Sequence, residues 1–365
     1  MRVMAALTAV LALSACNGQS AEQKLLDDAA VSGSAAVLGD AVAAFFVGPT
    51  TTDLTGPFGE KHEPGYLVLV GPTGAFRTIR TARMESLRPA WSSHGLYFAD
   101  EDNDYRLTSS GLTVTENPKT IAQNLMFALP DGGAVGVYNG GGGNEISTPD
   151  GELYQVAGNY FTGAVCGDQV YGIAEDPAGQ MLGRLYPSGQ EIARQPLDTT
   201  APIGPVPCHD GVVTFLSWDR GPGVATVVEW DTGTGERRAR PITFGDGTYI
   251  DGQDFGYAVP DREEGMLHWV YGDGRVFATD IATGATTVLF DTGLPTGAGR
   301  ERYTVYAFTG TRLHTISADR STTGSLVHIV FDRAGGRRLS EVRIPIPNSG
   351  VNISSLALTY MAARD

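Results

Sequence analysis

Through most of the chain, apolar strand-like runs of about four to eight residues are separated by polar turn signals rich in Gly, Pro, Asn and Asp. Runs of that length, bounded so often, predict strands of a sandwich, barrel or propeller. The runs pair around a recurring glycine. Tyr66 to Val70 and Ala75 to Ile79 flank Gly74, and Tyr105 to Leu107 and Leu112 to Thr115 flank Gly111. The same position recurs at Gly151, Gly189, Gly235, Gly284 and Gly336, with successive spacings of 37, 40, 38, 46, 49 and 52 residues. These spacings bracket the length of a four-stranded propeller blade, about 40 to 50 residues. A glycine is wanted in each hairpin because one turn residue must take a positive φ.

Ahead of each hairpin the pattern predicts an inner strand pair. The pairs are Leu87 to Ser92 with Leu96 to Ala99, Asn124 to Leu129 with Ala134 to Tyr138, and Tyr160 to Val165 with Val170 to Ile173. Further on come Ile203 to Cys208 with Val212 to Leu216, Asp254 to Val259 with Met266 to Val270, and Tyr303 to Phe308 with Leu313 to Ile316. A seventh blade is split between the ends of the chain, Asn352 to Tyr360 joining Ala41 to Val47 and the Gly74 hairpin. Pairing the first and last strands removes the sheet edges that invite aggregation. The expected fold is therefore all-β, a seven-bladed β-propeller over residues 40–365, with counts of six or eight left open. A short helix is expected within Ser20 to Val31, where Ser20 and Gln23 make a capping pattern and Leu25, Leu26 and Ala29 share a face. A plain spacer is the alternative, because Ser32-Gly33-Ser34 follows.

The start of the chain differs from the rest. One charge, Arg2, precedes an uncharged apolar run from Val3 to Leu13. A membrane-crossing helix needs about 20 such residues, so the run reads as the core of an export signal. It ends in Leu13-Ser14-Ala15-Cys16, which resembles the bacterial lipobox: a branched apolar residue, two small residues and a cysteine. The resemblance implies that residues 1–15 are removed, that the thiol of Cys16 takes a diacylglyceryl group, and that residues 16–39 form a lipidated tether. Each buried methylene contributes about 0.8 kcal/mol, so two or three acyl chains hold a protein stably. The expected place is the cell membrane or outer membrane, facing the periplasm or the exterior. Asn17, where Asp does not stand, is compatible with onward sorting to an outer membrane. An ordinary secretory signal cut before a cysteine is the alternative.

The net charge of −15 excludes two partner classes. Nucleic acid and anionic lipid both demand Lys and Arg on the binding face. With Cys16 committed to lipid, Cys166 and Cys208 are left in an oxidising compartment, where pairing is allowed. They stand in matching places in consecutive repeats, Val165-Cys166-Gly167-Asp168 and Pro207-Cys208-His209-Asp210. A disulfide and two buried free thiols both fit.

Two blades resemble known propeller repeats. Leu87-Arg88-Pro89-Ala90-Trp91-Ser92 with Gly95-Leu96-Tyr97-Phe98 is similar to the TolB-like, WD40-like repeat. Val276-Phe277-Ala278-Thr279-Asp280 with Thr283-Gly284 is similar to the quinoprotein-like repeat, although Val288-Leu289-Phe290 stands where that repeat ends in Trp.

Candidate chemistry collects in the turns between second and third strands. Asp100-Glu101-Asp102-Asn103-Asp104 has the alternating carboxylates of a Ca²⁺ loop, but Tyr105 and Gly111 occupy the places of the loop glycine and the bidentate Glu, so a solvated turn is expected. A binding rim is expected from Asp102, Asp104, Asp176, Trp218, Asp219 and Asp319. Gly140 to Gly143 lacks the Lys-Ser/Thr of a phosphate loop, and the six histidines show no ligand spacing. His314 and His328 are expected to be packed or hydrogen-bonded within strands, and the four tryptophans to be inter-blade core, with Trp218 also a candidate contact. No catalytic, metal or cofactor residue is predicted. The expected function is a non-catalytic binding or scaffold propeller of the cell envelope with a protein or carbohydrate partner. A metal- or quinone-dependent enzyme, lactonase-like or dehydrogenase-like, is the alternative.

Overall fold

The computed structural model describes residues 21–49, 64–82, 87–119, 122–140, 142–219, 224–245, 259–294, 304–318, 325–346 and 356–364. They form seven antiparallel sheets of mostly four strands, the blades of a β-propeller. From inner to outer strand, blade 1 is Leu356–Ala363, Ala43–Pro49, Gly65–Val70 and Phe76–Thr81. Blade 2 is Ala90–Ser92, Gly95–Ala99, Asn103–Leu107 and Leu112–Glu116; blade 3 is Gln123–Ala128, Ala134–Gly140, Gly143–Ser147 and Leu153–Val156. Blade 4 is Tyr160–Cys166, Gln169–Asp176, Gly179–Tyr186 and Gln190–Gln195. Blade 5 has a broken inner strand, then Val212–Asp219, Ala225–Asp231 and Arg237–Pro241. Blade 6 is Asp261–Glu263, Met266–Val270, Arg275–Asp280 and Ala285–Asp291; blade 7 is Thr304–Thr309, Arg312–Ala318, Leu326–Asp332 and Arg338–Ile344. The ring closes as the pattern predicts, by antiparallel pairing of Ala43 to Pro49 with Ala363 to Leu356.

The glycine that marks each repeat lies between the third and outer strands of all seven blades. Positive φ is only part of its purpose. Gly189 has no positive φ, yet a Cβ there would stand 2.4 Å from Val156 Cγ1. A Cβ at Gly74 would lie 2.1 Å from the carbonyl oxygen of Arg343, at Gly235 2.8 Å from Ala193, at Gly284 2.1 Å from the carbonyl oxygen of Pro241, and at Gly336 2.3 Å from Phe290. Every one of these neighbours is on the outer strand of the preceding blade. The repeat glycine is thus where each of these blades presses on the one before it.

Between blades the core is apolar. The seam of blades 7 and 1 holds Val305, Ile316, Leu326, Ile344, Phe45, Tyr66 and Val68. Trp230 and Trp269 are fully buried as expected, Trp269 stacked 4.4 Å from Phe277, whereas Trp91 and Trp218 are half-buried. Cationic side chains clamp the rims: Arg333, in the last turn of blade 7, bonds both Asp261 and Glu263 on the inner strand of blade 6. Arg240 of blade 5 donates to Glu229 at 2.8 Å and to the carbonyl of Ile281 at 3.2 Å.

Two inner strands differ from the expectation. Ile203 to Cys208 is not one strand. Thr199–Thr200 and Cys208–His209 pair with the two ends of Val212–Asp219, while Gly204–Pro205 leaves the blade and pairs in parallel with Thr162–Gly163 of blade 4. Pro202, Pro205 and Pro207 carry no N–H, so this stretch cannot sustain a ladder. In blade 6, residues 254–258 of the expected strand lie outside the described residues, and the strand that pairs with Met266–Val270 begins at Asp261. Glu264 and Gly265, with φ of 47° and 82°, make a two-residue hairpin that fixes this register.

The helix is Ala21–Asp28, within the expected span, and among the described residues no helix is long and apolar enough to cross a membrane. It does not hang free. Ala30 bridges Thr78 on the outer strand of blade 1, and Thr243–Phe244 similarly covers the outer edge of blade 6.

Candidate functional site

In a blade of four antiparallel strands, the second-to-third turns share one face of the ring with the connections that enter the inner strands. Asp102, Asp104, Asp176, Trp218 and Asp219 all belong to this face by chain position, and the side chains of Asp104 and Asp176 are turned to partners within the protein. Asp102 is exposed in the blade 2 turn. Asp104, one strand pairing later, turns into the seam with blade 3. There its Oδ2 accepts from Asn117 Nδ2 at 2.6 Å and Ser147 Oγ at 2.8 Å, and Lys119 Nζ lies 3.2 Å from Oδ1. Asp176 is held by Arg194 of its own blade through both carboxylate oxygens at 2.8 Å, which lowers its pKa, with help from the Ala178 N–H. Trp218 is half-buried opposite Thr200, and Asp219 ends its strand opposite Thr199. Asp319 lies outside the described residues.

The turn expected to be solvated is built around a fully buried carboxylate. Asp100 accepts from the N–H groups of Asp102 at 3.0 Å, Asn103 at 2.8 Å and Ala82 at 2.7 Å, and from the Tyr105 hydroxyl at 2.6 Å. Burial and this carboxylate push the Tyr105 pKa up. Burial lowers that of Lys119, against the pull of Asp104. These groups lock a turn and join two blades; their lone pairs are used within the protein. Sequence position could not reveal this, because the partners Asn117 and Ser147 are 13 and 43 residues away.

Arg88, just ahead of blade 2, joins the inner strands of its two neighbouring blades. Arg88, 5% exposed, stacks 3.4 Å over the Tyr360 ring of blade 1, and its N–H donates to Gln123 Oε1 of blade 3 at 2.6 Å. On its other side lies the Pro202 to Val206 crossover: a Cβ on Gly204 would be 3.2 Å from Arg88 Nη1. The crossover is fastened to blade 4 by Thr162 Oγ1 on the Pro202 carbonyl and by the Val206 N–H on the Gly163 carbonyl at 2.8 Å. It is also stapled at its far end, since Cys166 and Cys208 are joined with Cα atoms 5.4 Å apart. Exposed apolar side chains lie at the entries to inner strands on the same face as the turns. Ile203, just before Gly204 of the crossover, is 68% exposed, Phe161, just before its partner Thr162, 40%, and Val259, ahead of the inner strand of blade 6, 38%. The proline-rich run was the signal for this crossover.

Two other clusters stand apart. His314 Nδ1 and His328 Nε2 lie 3.2 Å apart inside blade 7, and burial with the neighbouring imidazole lowers the His328 pKa to about 4. A cavity of about 230 Å³ opens between blades 2 and 3, lined by Tyr97, Arg106, Thr113, Thr115, Met126 and Gly136 among others. Among the described residues, no three His, Cys, Asp or Glu side chains converge as a metal site.

No protein-family model matches the chain, and no curated protein matches it. Several solved structures are similar to it over much of their length. BamB from Moraxella catarrhalis is 16% identical, covering 71% of this chain and 73% of that one, with a TM-score of 0.42. Apo AztD from Citrobacter koseri is 12% identical over 88% of this chain and 98% of its own, TM-score 0.42. A quinoprotein alcohol dehydrogenase-like protein from Bacteroides thetaiotaomicron is 11% identical over 76% and 68%, TM-score 0.47.

Proposed function

We propose that this chain is an exported lipoprotein, anchored through Cys16, whose propeller acts by binding a protein partner in the cell envelope. The observation that carries the binding reading is the division of labour on one face. Asp100, Asp104 and Asp176 are consumed by internal bonds, while Phe161 and Ile203 stand exposed beside the axis. Exposed apolar side chains mounted on a chain segment fastened at both ends are pre-ordered for docking, because little entropy is lost when a partner covers them. A partner offering apolar side chains complements them.

A photo-reactive residue placed at Ile203 in the native host tests this against the same residue at Leu339, exposed on the outer strand of blade 7. One dominant adduct specific to position 203 is expected. The same products from both positions, or none from 203, would remove the reading. For the anchor, Cys16→Ala is expected to release the protein from the membrane fraction or leave it unprocessed. Unchanged fractionation with normal processing would contradict it.

A further inference from the structure

The expected anchor and the ring are joined by very little chain. The helix Ala21–Asp28 is fixed to the outside of the ring: Leu26 is fully buried with Tyr66 and Val68 of blade 1 and Ile344 of blade 7. Thr78 Oγ1 donates to the carbonyl of Leu26 at 2.6 Å, the Tyr66 hydroxyl donates to Asp27 at 3.0 Å, and Thr78 exchanges backbone bonds with Ala29 and Val31. Gln23, in the first turn, is 8% exposed. Cys16 precedes Ala21 by five residues. At about 3.6 Å per residue at most, Cys16 lies within about 18 Å of the helix start whatever path the chain takes.

That leash is short compared with the ring. Four strands about 4.8 Å apart make a blade about 14 Å deep, so opposite rims are separated by about 29 Å before the axial space is counted. Counting round seven blades, the rim opposite the seam of blades 7 and 1 is blade 4. A ring lying flat would bring blade 4 to the lipid as well, but a chain of net charge −15 is repelled by anionic headgroups. We infer that the propeller stands on the bilayer by its rim, at the seam of blades 7 and 1, with the outer strand of blade 4, Gln190–Gln195, farthest from the lipid. This rests on the lipidation of Cys16 and adds to it an orientation. Both faces of the ring are then open to partners.

The test uses lipidated protein from host membranes, reconstituted in phosphatidylethanolamine–phosphatidylglycerol vesicles that carry an acceptor dye on the headgroups. A donor dye is attached at Lys24→Cys, on the exposed side of the helix, or at Ser188→Cys, in the exposed last turn of blade 4. Energy transfer several-fold stronger at position 24 than at 188 is expected. Inserting about 20 Gly and Ser residues between Ser20 and Ala21 should erase most of that difference, since a flexible linker of that length reaches across the ring. Equal transfer at both positions with the native leash, in protein that floats with the vesicles, would overturn the orientation alone. Failure of the protein to float would remove the anchor and the orientation together.

Discussion

The buried histidine pair of blade 7 makes the closure of the ring sensitive to acid. His314 and His328 are each 2% exposed, on neighbouring strands, and strand alternation puts them on the side that also carries Ile316 and Leu326, facing blade 1. That seam offers apolar side chains, so an imidazolium at His328 has lost its hydration there. The His328 pKa is accordingly lowered from 6.5 to about 4, by burial first and by His314 second. The sign follows from linkage. The folded state binds fewer protons than the unfolded state below pH 6.5, so the stability is whole above that value, falls as pH drops, and levels off once the pH is below about 4. At about 1.4 kcal/mol per pKa unit the loss is about 3 kcal/mol. The assay is urea unfolding of the wild type and of His314→Leu/His328→Leu between about pH 7 and pH 4, where other carboxylates titrate equally in both. Replacing both imidazoles removes the two members of the pair together. The wild type should lose about 3 kcal/mol more than the double variant; parallel pH profiles would refute the reasoning.

Reduction or Cys166→Ser/Cys208→Ser should lower stability by about 4 kcal/mol, the loop-closure entropy for a separation of 42 residues, read from urea midpoints with and without dithiothreitol. An unchanged midpoint would mean that the bond does not constrain the unfolded chain. Arg333→Ala removes the bonds to Asp261 and Glu263, whose carboxylates are 38% and 52% exposed, and is expected to cost about 1 to 2 kcal/mol, more than Glu263→Gln, by the same measurement. Gly284→Ala drives a Cβ against the carbonyl of Pro241 at a φ of 77°, whereas Gly167→Ala, at a φ of 65°, meets nothing within 4 Å. Thermal melts should therefore show a loss at position 284 well beyond the roughly 1 kcal/mol of a strained φ alone at position 167.

The blade count was legible because one physical requirement recurs at one place. A turn that must reverse tightly and also lie against its neighbour excludes side chains, and at Gly74, Gly235, Gly284 and Gly336 both demands act together. Closure was legible because apolar runs at the two ends had no other partners. The inner strand of blade 5 was misread because Ile203 and Val206 look like a strand, while the prolines among them make one untenable. Here apolar character and backbone hydrogen-bonding capacity gave opposite answers, and the backbone prevailed.

The acidic turn of blade 2 carries the same lesson into the site. A cluster such as Asp100 to Asp104 reads as solvated or metal-binding when each carboxylate is judged by its sequence neighbours. Its actual role depends on where its lone pairs point. Asp100 meets three backbone N–H groups and a phenol, and Asp104 meets an amide, a hydroxyl and an ammonium, the amide and hydroxyl set 13 and 43 residues away by the register of two blades. A carboxylate with its acceptor sites filled cannot also serve a ligand without breaking the seam that it holds. For that reason the binding surface we propose on this face is made of the apolar side chains of the crossover and not of the charged turns.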